Sequence, residues 1–131
     1  MENTTELNKQ FIVNHFEEFV NKKNAAVALQ NMTADFIDHD EADGIAIGPE
    51  AAVKMMEAVY KSIPDIHVSI EDILAEGDKV MVRNIWTGTT LDGKKIQFKG
   101  FVLWRIKEGK IAERWATLTA PFLRKTEIGK W

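Results

Sequence analysis

The apolar pattern of this chain changes period once, at Pro64, and that change limits what it can build. Before it, Leu7, Phe11, Ile12, His15, Phe16, Phe19 and Val20 recur at helical spacing and form a wide stripe on one face. After it, Ile66, Val68 and Ile70 alternate with His67, Ser69 and Glu71, which is the period of a strand. Helices gathered ahead of strands indicate an α+β fold rather than alternating βαβ units.

Punctuation along the chain supplies the boundaries. Asn3, Thr4 or Thr5 can cap the first helix, which should end near Asn21, where Asn-Lys-Lys-Asn breaks the stripe. Asn24 offers an N-cap for a short second helix carrying Ala25, Ala26, Ala28, Leu29 and Met32. Residues 35–40 read as a brief extended segment, and 41–48, with Gly44 and Gly48, as loop. Gly48-Pro49-Glu50 opens a third helix, because proline suits a first turn whose N–H groups lack partners and Glu50 complements the positive dipole end. Val53, Met56, Val59 or Tyr60, and Ile63 form its buried stripe, and Pro64 stops it.

Beyond Pro64 the spacing predicts long strands over 79–90, 95–106 and 111–119. They are joined at Glu76-Gly77-Asp78, Leu91-Asp92-Gly93-Lys94 and Lys107-Glu108-Gly109-Lys110, with Pro121 ending the pairing. The expected architecture is three helices on a curved, mostly antiparallel sheet of about four to six strands. Phe98, Val102, Trp104 and Ile106 share one parity, while Phe101 and Leu103 take the other. Large apolar groups on both faces predict helices on one side and a partly covered second side, for which a second subunit is the natural cover. One ambiguity concerns the last hairpin. A two-residue turn at Glu108-Gly109 sets Val102 opposite Trp115, whereas a type I turn with a Gly bulge sets Phe101 there.

Composition narrows the function classes. The 131 residues read as one domain over 1–131, within the roughly 100–200 residues typical of a domain. With 45% hydrophobic residues there is material for a core. Seventeen Lys and Arg against 20 Asp and Glu leave a formal charge of −3, which supplies no concentrated basic surface for nucleic acid or for an anionic membrane. No Cys excludes disulfides, thiol nucleophiles and Cys-based metal sites. Residues Met1 to Gln10 lack an apolar signal-peptide core, and no apolar run nears the ~20 residues that span a bilayer, so a cytoplasmic protein is expected.

The order of two helices, Asp-Phe-Ile-Asp-His-Asp, a Gly-Pro-Glu helix, Pro-Asp, Glu-Asp-Ile-Leu-Ala-Glu-Gly-Asp-Lys-Val, Gly-Lys-Ile and Glu-Arg-Trp resembles the SnoaL-like polyketide cyclases. These sit in the nuclear-transport-factor-2-like superfamily with ketosteroid isomerases and limonene epoxide hydrolases. The resemblance runs from about residue 5 to about residue 120. It implies a conical α+β barrel, a curved antiparallel sheet wrapped around the N-terminal helices with a deep apolar pocket, and a homodimer formed through the sheet. It also implies aldol closure by a pocket carboxylate with no metal or cofactor. The last strand of such cyclases typically reads Glu-His-Trp-Asp, with another Asp three residues on. Here Arg114 replaces the His, Ala116 the first acid and Thr119 the second. Neither Ala nor Thr can abstract a proton near pH 7, so the standard mechanism is not expected.

Candidate residues follow from chemistry. Asp38-His39-Asp40 is the densest polar cluster: a His tuned by carboxylates is an acid or base, although alternation puts His39 on the side opposite both Asp. Asp35 is expected to cap or to join a turn. A metal site would need these residues plus His15 and His67, and no HExxH motif or i, i+4 His pair supports one. Arg83 either pairs with a carboxylate such as Glu113 or grips a ligand oxyanion. Arg114, standing where the family has His, favours an anionic or carbonyl-bearing ligand. Trp86, Trp104 and Trp115 are either core and interface or pocket wall, and at least one is expected in the pocket. The expected ligand is small, apolar or carbonyl-bearing. The expected activity is that of an isomerase, cyclase or hydrolase, with non-catalytic ligand binding or a dimeric scaffold as the alternative.

Overall fold

A computed structural model describes residues 4–40 and 45–119. Asn3 as a cap, positions 41–44 of the loop, Pro121 and the tail to Trp131 lie outside the described residues.

Helix α1 spans Thr4–Phe16 and continues through a widened π turn, Glu17–Asn21, so the stripe ends where Asn-Lys-Lys-Asn begins. Lys22 N–H reaches back to Glu17 O at 2.8 Å. The widened turn is held from outside. The Asn21 amide donates to Val68 O at 3.1 Å and accepts from Val68 N–H at 2.8 Å, acting as a strand partner for the sheet edge. The Tyr60 hydroxyl donates to Phe19 O. A 3-10 turn, Ala25–Val27, leads into α2, Ala28–Asn31. Asn24 caps this turn only with its backbone carbonyl, which accepts from Val27 N–H at 3.1 Å; its side chain makes no capping bond.

Strand β1 is Met32–Asp38, longer than the extended segment expected, and Asp35 lies exposed within it rather than at a cap or turn. Helix α3 is Gly48–Ser62, with Pro49 in its first turn and Ala52 and Met56 buried. Strands β2 (His67–Glu76), β3 (Lys79–Thr89), β4 (Lys95–Lys107) and β5 (Lys110–Leu118) follow. The sheet order is β1-β5-β4-β3-β2. Neighbours pair antiparallel except β1, which lies parallel beside β5. The fold is α+β, and the five-stranded sheet is an open cone rather than a closed barrel, with β1 and β2 at its edges. The core lies on the concave side, where Ile12, Phe16 and Val20 meet Val80, Val82, Val102, Trp104 and Ile111.

The last hairpin resolves in a way that neither expected register describes. Glu108 and Gly109 form a two-residue turn, with φ of 51° and 78° and Lys107 opposite Lys110. The register then shifts between Arg105 and Ile106, because β5 runs from Ile111 to Glu113 while β4 steps only one residue. Ala112 is the extra residue. Trp115 therefore faces Leu103, neither Val102 nor Phe101. Ile111 and Ala112 are both buried, after which Arg114, Ala116 and Leu118 turn to the concave side and Glu113, Trp115 and Thr117 away from it.

Candidate functional site

A cavity of ≈ 350 Å³ opens between α1, α3 and the concave sheet face. Phe16, Phe19, Met56, Val59, Trp86 and Phe98 give it apolar walls, and Trp104 stands among them. Its ionisable lining groups among the described residues are His15, Asp40 and Arg114.

The polar end is built by two strands far apart in sequence. Parallel pairing of β1 with β5 sets Asp38 level with Arg114. Asp38 is fully buried, and Arg114 Nη1 donates to both of its carboxylate oxygens at 3.1 Å. The same nitrogen reaches Asp40 Oδ2 at 3.3 Å, and the guanidinium lies 5.8 Å from the centre of the Trp104 ring. A buried charge must be paired, and Asp38 does this for Arg114. Asp40 N–H donates to Asp38 Oδ1 at 3.1 Å, which turns the chain so that Asp40 enters the cavity wall. Burial raises the Asp40 carboxyl above its ordinary value, opposed by Arg114 and assisted by the charge of Asp38. The Ala116 backbone N–H, facing the Asp40 carboxyl, works against this rise.

His15 occupies a place in the apolar stripe of α1 and is completely buried. Its Nδ1 faces Asn31 Nδ2 at 3.0 Å; its ring stacks on Phe19 at 4.9 Å and meets the edge of Trp104 at 5.6 Å. Burial, with a smaller contribution from Arg114, brings its pKa from 6.5 down to about 3, so the imidazole is neutral near pH 7.

The remaining candidates lie elsewhere. His39 Nε2 meets Glu113 Oε1 at 3.0 Å, and its ring stacks nearly flat on Trp115 at 4.5 Å. Glu113 also accepts from Arg105 Nε; these two hydrogen bonds, Arg105 first, hold the Glu113 carboxyl below its ordinary value. This cluster is on the convex face. Arg83 is there too, exposed and paired with Asp72 at 2.6 Å rather than with Glu113. Thr119 Oγ1 exchanges hydrogen bonds with the Lys99 backbone. The structure thus gathers Asp38, Asp40, Arg114, Trp86 and Trp104 around the cavity and leaves His39, Arg83 and Trp115 outside it. Among the described residues no group of three or more His, Asp or Glu is placed to hold a metal ion, and no helix is long and apolar enough to cross a membrane.

In the sequence, His15 reads as part of the helix stripe or as a distant metal ligand. The available signal was a titratable residue in a run otherwise filled by Leu, Phe, Ile and Val.

Comparison with known proteins supports the shape. A proposed polyketide cyclase of Bacillus cereus ATCC 10987 is 36% identical, with a TM-score of 0.67 over 76% of this chain and 66% of that one. A proposed SnoaL-like polyketide cyclase of Jannaschia sp. CCS1 is 20% identical, with a TM-score of 0.76 over 90% of this chain and 89% of that one. A proposed hydroxylase of Streptomyces galilaeus is 21% identical, with a TM-score of 0.77 over 97% of this chain and 98% of that one. A search of curated proteins finds no significant match. Residues 10–118 match the family pattern described as SnoaL-like polyketide cyclase, and the chain belongs to that family.

Proposed function

We propose that this protein binds a small, largely apolar, carbonyl-bearing molecule in the cavity and moves a proton beside the carbonyl without a cofactor. The observation that carries this reading is the position of Asp40. The last strand and the residue after it offer no acid at Ala116 or Thr119, yet Asp40, just past the end of β1, lines the cavity beside Arg114 at 3.3 Å. A carboxyl thus stands near the vacated position, supplied by the turn after β1. Its raised pKa brings it closer to the range of a useful base. Asp40 takes the proton from the carbon next to the carbonyl, and Arg114, held by Asp38, stabilises the negative charge that develops on oxygen. Isomerases and aldol cyclases share this step; in a hydrolase the same carboxylate would activate water.

The test is deuterium uptake at the carbon beside the carbonyl, followed by NMR over a panel of alicyclic and aromatic ketones. Wild type should catalyse exchange, and Asp40→Asn should slow it by about 10²–10⁴-fold, the usual worth of a general base. A second reading, non-catalytic ligand binding, is favoured by the Asp40–Arg114 ion pair, which occupies the proposed base. Ketones that bind without exchange would select that reading.

We also propose a homodimer joined through the convex face. Leu74 and Phe101 are 70% and 51% exposed there, and the half-buried Met81, Leu103 and Trp115 extend the apolar surface. Arg83–Asp72 and Arg105–Glu113 supply polar groups around it. Such a surface of large side chains is a usual site of association.

A further inference from the structure

Proton transfer by Asp40 leaves most of the polar groups of the cavity unused. His15 Nε2, Trp86 Nε1 and Trp104 Nε1 are buried and have no hydrogen-bond partner among the described residues, and all three residues line the cavity. An indole nitrogen can only donate. The role of His15 follows from its neighbour. Asn31 presents its amide nitrogen, a donor, to Nδ1 at 3.0 Å. Nδ1 must therefore accept, and the proton of a neutral imidazole is left on Nε2. Complete burial beside Arg114 keeps the ring neutral. Three residues of the cavity lining thus hold buried N–H groups without acceptors, beside an Arg114 that is paired with Asp38.

We propose that His15 Nε2–H is a ligand-binding donor that receives a carbonyl oxygen, and that it and the two indoles select a neutral ligand bearing acceptor oxygens. This inference rests on the reading that the cavity binds a small molecule. Four lines of physical chemistry support it. A buried donor left without an acceptor is costly, so a ligand that brings an acceptor gains more than one that brings only apolar surface. A neutral N–H set in an apolar site stabilises the partial charge of a ketone and gains further as that charge grows toward an enolate, with no change in its own protonation. The surroundings disfavour an anion, because the local cation is already paired and the other donors carry no full charge. The stack on Phe19 and the edge contact with Trp104 fix the imidazole plane, so the donor is oriented before the ligand arrives.

The probes are 9-fluorenone and fluorene, which differ by one carbonyl on the same three-ring frame. Binding is read by quenching of Trp fluorescence. Wild type should hold fluorenone about tenfold more tightly than fluorene, the worth of one to two well-made neutral hydrogen bonds. In the same wild-type protein, labelled with ¹⁵N-histidine, His15 should show a bare Nδ1 and a protonated Nε2. The Nε2–H resonance should move on adding fluorenone and stay in place on adding fluorene. His15→Phe keeps the aromatic stack and should erase the preference and return the bound C=O stretch toward its value in apolar solvent. Equal binding of the two probes, or a proton found on Nδ1, overturns the inference and leaves the small-molecule pocket standing. If neither probe nor any member of the ketone panel binds, the pocket reading fails and the inference falls with it.

Discussion

Acidification should destabilise this protein through His15 before its carboxylates are protonated. Burial and the nearby Arg114 hold the imidazole at about 3 against 6.5 in the unfolded chain. At about 1.4 kcal/mol per unit, charging it inside the fold costs roughly 5 kcal/mol. Because the folded pKa is the lower one, the contribution is fully present above 6.5 and is lost as pH falls toward 3. Descending from about pH 7.5 to about pH 4.5 should remove roughly 3 kcal/mol, a large share of the ~5–15 kcal/mol that stabilises a typical domain. Asp40, facing the same cavity, works with the opposite sign. Its raised pKa favours the folded state at low pH and is felt as a loss when pH rises, so it blunts the slope. His15→Phe separates the two. Guanidinium unfolding, followed by Trp fluorescence at several pH values for both proteins, gives the difference directly. The wild-type stability should fall relative to the variant by roughly 3 kcal/mol over that interval. Parallel stability curves, or an NMR titration of His15 with a midpoint near 6.5, would refute the reasoning.

Three further outcomes follow from the same contacts. Asp38→Asn strips the buried partner from Arg114 and should cost about 3–5 kcal/mol, read from the denaturation midpoint; a loss below about 1 kcal/mol would mean that the pair is not the anchor of this end of the cavity. Asn84 is fully buried, and neither of its amide atoms has a partner among the described residues, so Asn84→Leu should raise stability by about 1–2 kcal/mol, while a drop would reveal a hydrogen bond that matters. Sedimentation of wild type at micromolar concentration should give twice the chain mass and Phe101→Lys should give one; a wild-type monomer would sink the proposed dimer.

Local signals in the chain were strong where they were periodic. The switch at Pro64, the Gly48-Pro49-Glu50 start and the three Gly-containing turns placed every long element to within a residue or two, because amphipathic spacing and turn chemistry act over short range. The shared parity of Phe98, Val102, Trp104 and Ile106 correctly put these residues on one face, since β4 runs straight through. The candidate site was legible only in part, because register is a long-range property. One extra residue at Ala112 reverses the faces of β5, so Arg114 turns toward the cavity and Trp115 away, and no local pattern marks that bulge. Parallel docking of β1 then brings Asp38 to an arginine 76 positions away and leaves His39 with Glu113 and Trp115 outside. The same packing converts His15 from a member of a helical stripe into a neutral donor, because only tertiary burial can remove its water and lower its pKa.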